Sequence, residues 1–229
     1  MVLLMDLTNR PTRHSYSSIS KYKECPAAYA YRYIQKMSDP PTAAMMRGTR
    51  LHKLAEDYMG NADEAVPYDI KRVGLKIYQL REAGAKPEAE WYVGRDWEPV
   101  ATKGEAMLMA IIDVHHLSND TLKIHDYKSG REYPGHADQL ELYSTIGLRV
   151  YPDAKRAESS AIYFDSGHEG SQRSIIRDML PYYIGKWGSD ISRIESDVEF
   201  RATPGGHCKR CFASSANGGP CEQWRGATP

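Results

Sequence analysis

The sequence predicts an α/β fold: a mixed central sheet flanked by helices, with a helical N-terminal segment and a cysteine-rich tail. Three observations predict it. Residues up to Ala83 carry helix signals interrupted by prolines, and residues 90–178 carry short strand-like runs around one helical stretch. The tail from Thr203 is dense in Gly, Ser, Pro and Cys. A length of 229 residues suits one domain with a sizeable core. No internal repeat or long low-complexity linker divides it, so the expectation is a single domain. Within it, 11–85 is the helical segment, 88–200 the core, and 203–229 a tail packing on the Cys25 region.

The elements follow in order. Ser17 or Ser18 caps a helix starting at Ile19. Pro26 breaks it at Cys25 and opens a second helix to about Lys36, which Asp39-Pro40-Pro41 ends. Thr42–Met59 and Asp69–Ala83 are further helical stretches. Glu90–Val93, Glu105–Leu117 and Thr121–Lys128 have strand composition. His136–Val150 reads as a helix with Leu140, Tyr143 and Gly147 on one face. Ser160–Phe164 and Ser174–Asp178 read as strands, and Tyr182–Ile194 as a last helix.

Formal net charge is zero, so the molecule as a whole does not announce a nucleic-acid partner. Residues 1–53, however, hold nine Lys or Arg against three acids, interleaved with tyrosines. Lys21 and Tyr22 are the candidates there for phosphate contact and base stacking; a solvated helix face over ordinary core tyrosines is the other reading. No apolar run is long enough to span a membrane, and Met1–Met5 is too short for a signal-peptide core. A cytoplasmic setting in a bacterial, archaeal or phage-infected cell is therefore expected.

The informative segment is Ile111–Lys128. If Asn119-Asp120 is a two-residue turn, Ser118 pairs with Thr121 and Asp113 falls opposite Asp126, with Lys128 on the face of Asp126. Opposed Cβ atoms stand about 5 Å apart, where two carboxylates repel unless a cation lies between them. Oxygen ligands of this kind suit a divalent metal, and a nearby lysine stabilises charge on a phosphate or steers a water. An edge hairpin with solvated charges is the competing reading. His52 and Glu56 share a helix face, Gly48 lies one turn earlier, and Gln139 and Tyr143 share a face of the helix after the Asp-x-Lys strand.

Five short motifs run in order: Ser17–Pro26, Gly48–His52 with Glu56, Ile112-Asp113, Asp126–Gly130, and Gln139–Tyr143. Together they resemble the RecB-like branch of the PD-(D/E)XK nucleases. The resemblance implies a restriction-endonuclease-like core, with Asp113, Asp126 and Lys128 catalytic. It further implies His52, Asp113, Asp126 and the Tyr127 backbone carbonyl as metal ligands, with Glu56, Gln139 and Tyr143 in support. Asp126 stands where many relatives carry Glu. The metal is Mg²⁺ or Mn²⁺, the imidazole tilting preference toward Mn²⁺.

Cys208 and Cys211 are close-spaced, Cys221 follows, and Cys25 is remote. A zinc ribbon brings two close pairs. A remote cysteine with a C-terminal trio instead resembles the iron–sulfur nucleases of the AddB and CRISPR-associated type, implying a [4Fe-4S] cluster that ties the chain ends together. Structural Zn²⁺, with His207 as a spare ligand, and unpaired buried thiols stay open. The expected function is a DNA exonuclease on single-stranded or free ends, in recombination, repair or CRISPR-type processing beside the proteins of those pathways. A structure-specific endonuclease and a non-catalytic DNA-binding module are the alternatives.

Overall fold

The computed structural model describes residues 7–61 and 65–223; the apolar opening Met1–Met5 and the last six residues lie outside the described residues. The chain divides into two compact units, one made of residues up to Pro40 together with Gly188 onward, the other of Pro41–Trp187. Among the described residues no helix is long and apolar enough to cross a membrane.

In the first unit a two-residue strand, β1 (His14–Ser15), leads into α1 (Tyr16–Glu24). The helix begins three residues earlier than its serines predict, because Ser15 and Ser18 cap each other reciprocally: Ser18 N donates to Ser15 Oγ and Ser15 N to Ser18 Oγ. Pro26 opens α2 (Pro26–Tyr29), which widens into a π-helical stretch, Ala30–Ile34. The Gln35 amide there reaches back five residues to the Ala30 carbonyl. Tyr29, Tyr31 and Ile34 are buried together on this stretch. Beyond Ser196 the chain turns through Phe200, whose ring stacks on Tyr29 at 5.9 Å, and continues into short 3-10 turns.

The second unit holds the sheet. α3 (Ala43–Gly60) is capped by Thr42, whose Oγ1 accepts from the Met45 amide. A 3-10 turn (Tyr68–Ile70) precedes α4 (Gly74–Glu82), so the helix expected over 69–83 is split. β2 (Lys86–Val93), β3 (Leu108–Ser118) and β4 (Thr121–Lys128) form an antiparallel run. β3 starts three residues later than expected because the Glu105 carboxylate accepts from Thr102 N and Oγ1, closing a turn. α5 (Pro134–Val150) crosses over to β5 (Arg156–Tyr163), which lies parallel to β4, and β6 (Glu169–Ile176) pairs antiparallel with β5. α6 (Leu180–Ser196) follows.

One parallel pair in an otherwise antiparallel sheet is the mixed sheet the sequence predicts. Its two faces are buried by different helices. Leu51, Ala55 and Tyr58 of α3 and Ile77 and Leu80 of α4 pack with Val114, Tyr127 and Ile162 on one face. On the other, Leu140 of α5 packs on Ala161 and Tyr163. Gly147 lets α5 come close, since a Cβ there would stand 2.6 Å from Leu122 Cδ2.

Candidate active site

Asn119 takes the left-handed φ of 54° that a tight turn needs, and Ser118 pairs with Thr121. The β3–β4 ladder ends at Val114 opposite His125; beyond it the Tyr127 amide donates to the Asp113 carboxylate, whose charge is close enough to act on Asp126. Across the other edge of β3, Pro87 pairs with Val114 and Ala89 with Ile112, which sets Glu88 opposite Asp113. Glu88 on β2 therefore neighbours Asp113 on β3, and with Asp126 nearby on β4 they make a row of three acids at this end of the strands. Glu88 has φ 29°, a strained value for a side chain with a Cβ. The sequence reading missed Glu88; its signal was an acid directly after Pro87, at the start of a strand read as beginning only at Glu90.

Hydrogen bonds fix the neighbours of this row. Asp113 Oδ2 accepts from the Tyr127 amide at 2.7 Å, and Asp113 Oδ1 lies 3.1 Å from His52 Nδ1. The Lys128 ammonium lies 2.5 Å from Asp126 Oδ2 and donates to Gln139 Oε1 at 2.7 Å. Gln139 Nε2 in turn donates to Tyr143 Oη at 2.7 Å and reaches Asp126 Oδ1 at 3.5 Å. The i, i+4 pair on α5 thus orients the lysine. Gly48 admits a close neighbour as well, for a Cβ would sit 3.0 Å from Ser129 Oγ; the group that approaches is the hydroxyl after Lys128.

A cleft of about 490 Å³ opens beside the row, lined among others by Gly48, His52, Glu56, Glu88, Asp113 and Tyr127. Lys53, also on its wall, pairs with Glu56 at 3.1 Å. Asp126 is buried, and burial pushes its carboxyl up to about 6; the Lys128 ammonium opposes that rise and the Asp113 carboxylate adds to it. Burial works against the His52 cation, yet the hydrogen bond to Asp113 and the charges of both aspartates carry its pKa above the ordinary value.

Among the described residues no three His, Cys, Asp or Glu side chains stand ready as a metal cage. Both Asp113 oxygens are engaged, by His52 and by the Tyr127 amide, and the Lys128 ammonium lies against Asp126 Oδ2. In kind, the donors fit a divalent ion. They offer two carboxylates and an imidazole beside an open cleft, and a carboxylate raised by burial and by its acidic neighbour is relieved by a cation.

In the first unit, Cys25, Cys208, Cys211 and Cys221 all line one pocket, so the structure brings together four residues spread over almost the whole chain. None is in a disulfide. Backbone amides point at the sulfurs: Thr203 N donates to Cys25 Sγ and Gly205 N to Cys208 Sγ, each at 3.4 Å. His207 Nε2 lies 3.6 Å from Cys208 Sγ. Burial raises the Cys211 thiol, while the Ala213 and Ser214 amides oppose that rise.

Lys21 and Tyr22 are placed otherwise than their candidacy for DNA contact requires. Lys21 pairs with Glu24 at 2.8 Å. The Tyr22 ring is buried against Tyr29 and Phe200, and its hydroxyl donates to Asp197 at 2.8 Å. A buried ring packed perpendicular to two others and bonded at its tip is a core ring, and a base has no access to it. The interleaved tyrosines of the N-terminal segment serve packing because the helix they sit on turns them inward.

Among solved structures, a putative exonuclease from Eubacterium rectale is similar over 87% of each chain, with 10% identity and a TM-score of 0.50. SSO0001 matches over 90% of this chain and 85% of its own, with 16% identity and a TM-score of 0.45. An alkaline exonuclease from Laribacter hongkongensis matches over 83% of this chain and 92% of its own, with 15% identity and a TM-score of 0.43. No curated protein matches the sequence. At these identities the first of the three likenesses speaks to the fold alone. The family model described as the PD-(D/E)XK nuclease superfamily matches residues 13–216, and the chain belongs to that superfamily.

Proposed function

We propose that this chain is a metal-dependent DNA exonuclease, hydrolysing phosphodiester bonds at single-stranded DNA ends in recombination, repair or CRISPR-type processing. The observation that carries the reading is the clustering of Asp113 and Asp126 at the end of the β3–β4 ladder, with Asp113 held by the Tyr127 amide and Lys128 set on Asp126 beside Gln139. A structural hairpin has no use for two neighbouring carboxylates, one of them buried, beside an open cleft. The exonuclease assignment rests on the order of motifs shared with the RecB-like nucleases, and the putative exonuclease of similar fold is compatible with it.

In this reading Asp113, Asp126 and Lys128 are the catalytic residues. His52, Asp113, Asp126 and the Tyr127 carbonyl would hold Mg²⁺ or Mn²⁺, whose chemistry is to lower the pKa of a bound water and relieve charge on phosphoryl oxygens. Lys128 steers that water or meets charge on the phosphate. Gln139 and Tyr143 keep the ammonium in place, and Glu56 shapes the cleft wall. Cys25, Cys208, Cys211 and Cys221 hold a [4Fe-4S] cluster, or a zinc ion, that ties the C-terminal tail to α2. The whole is one nuclease domain.

The test is digestion of end-labelled linear single-stranded, linear duplex and closed circular DNA with Mn²⁺, with Mg²⁺ and with EDTA. Metal-dependent loss of linear strands with circles spared is the expected result. Cutting of circles moves the assignment to a structure-specific endonuclease, and absence of cutting by metal-replete protein leaves a DNA-binding module.

A further inference from the structure

We infer that α4 and the 3-10 turn before it form a base-stacking strip for single-stranded DNA, alongside the helix that carries His52; the inference rests on the nuclease reading and deepens it. The strip is built of side chains that a folded core has no use for. Tyr68 is 78% exposed, Leu75 70% and Tyr78 43%, whereas Ile70, Ile77 and Leu80 between them are buried. α4 therefore turns one apolar face to the core and leaves a second one, with two tyrosines on or beside it, uncovered.

The exposed rings come with cations. The Lys71 ammonium stands 3.9 Å from the Tyr68 ring centroid, and the Arg81 guanidinium 5.2 Å from that of Tyr78. Residues 68–82 hold four Lys or Arg against Asp69 and Glu82, and Asp69 is already paired with Arg50 at 3.0 Å. Lys71 and Arg81 have no carboxylate partner among the described residues; Arg81 donates to the carbonyls of Tyr58 and Asn61. In a chain of zero net charge this is a local cationic excess. Aromatic rings flanked by unpaired cations match a ligand of flat bases on an anionic backbone. A protein partner would ask for a broader aliphatic patch, and Leu75 is the one exposed aliphatic residue on α4.

Position links the strip to the cleft. Arg50, two residues from His52 on α3, anchors the start of the strip through Asp69, and Arg81 anchors its end to the last turn of α3. The strip thus runs beside α3, whose other side lines the cleft with Gly48, His52 and Glu56. One helix diameter, about 10 Å, separates the two faces, a span that a short stretch of single strand crosses. Such a strip holds the strand that leads to the site and favours unpaired bases over a duplex, in which the rings find no free face to stack on.

The test compares the wild type with the double variant Tyr68→Ala/Tyr78→Ala in EDTA, measuring fluorescence anisotropy of a labelled oligothymidylate and of a blunt duplex of equal length. Both rings are exposed, so the variant should keep the wild-type melting temperature. The expected result is roughly tenfold or more weaker binding of the oligothymidylate, with duplex binding changed far less. In parallel, 4-thiothymidine oligonucleotides should photo-cross-link to Tyr68 or Tyr78 in the wild type. A variant that binds the oligothymidylate as the wild type does, with no cross-link to either ring, overturns the strip and leaves the patch to a protein partner. Wild-type cleavage in Mn²⁺ then tells whether the nuclease reading survives it. A wild type that neither binds nor cuts overturns both.

Discussion

The Asp113 carboxylate is held from two sides, by the Tyr127 amide at 2.7 Å and by His52 Nδ1 at 3.1 Å, and the first of these bonds ties β3 to β4 at the residue between Asp126 and Lys128. The bond fixes the spacing of the three groups assigned to catalysis. Asp113→Ala and Lys128→Ala should each lower cleavage at least a hundredfold, while oligonucleotide binding by gel shift stays within a fewfold of wild type. Full cleavage by either variant would remove the assignment.

Glu88 is the third acid of the row and lines the cleft. Glu88→Gln keeps the volume and removes the charge. Cleavage rates across a Mn²⁺ titration should show a weaker metal dependence, with the half-saturating concentration rising roughly tenfold, as for groups that tune a metal from beyond its ligands. An unaltered titration curve would make Glu88 a wall residue only.

Gln139 touches Lys128, Asp126 and Tyr143 at once. Gln139→Leu leaves the lysine without its acceptor and should reduce kcat about ten- to a hundredfold. KM should move little, because the lost bond orients a catalytic group and does not hold DNA. Steady-state kinetics on a short oligonucleotide distinguish the two.

His115 gives the stability a defined acid limb. Burial, with Lys86 and His116 nearby, lowers its pKa to about 4, and its ring packs edge-on to Trp91 at 5.0 Å. The unfolded chain takes up the proton near pH 6.5, whereas the folded chain resists it. The stabilisation is therefore fully present above pH 6.5 and is lost as pH falls toward 4, at up to about 1.4 kcal/mol per pH unit. His115→Phe should flatten this part of a plot of urea midpoint against pH; an unchanged slope would place the acid sensitivity elsewhere.

Two substitutions probe the scaffold. Gly147→Ala puts a methyl 2.6 Å from Leu122 Cδ2 and 2.9 Å from Trp91 Cζ3. It should cost about 1–3 kcal/mol in urea denaturation despite alanine's better helix propensity. Cys208→Ser removes one of the four pocket sulfurs, and it should lower the melting temperature and bleach any visible absorbance. An unchanged melting temperature would count against a metal-bound staple.

Much of the site was legible because its signals are local. The Asn119-Asp120 turn and the alternation of strand side chains fix the β3–β4 register from Ser118–Thr121 to Val114–His125, which carries Asp113 to the end of the ladder near Asp126 and Lys128. The i, i+4 spacing of Gln139 and Tyr143 places both on one side of α5, and both meet there as the spacing predicts. Strand ends were less legible, since Glu105 is drawn out of β3 by a side-chain bond that composition does not reveal.

The sequence by itself determined the α/β class, the hairpin and its register, for these depend on turn chemistry and periodicity within some 20 residues. Only the tertiary structure decided what meets the hairpin. It brought His52 to Asp113 from 61 residues away, set Glu88 in the same row, and gathered four cysteines spread over nearly the whole chain around one pocket. It also decided which tyrosines are covered: Tyr22 lies inside, Tyr68 outside. The physical reason is that periodicity says which residues share a face, whereas the packing of distant segments decides which face keeps water.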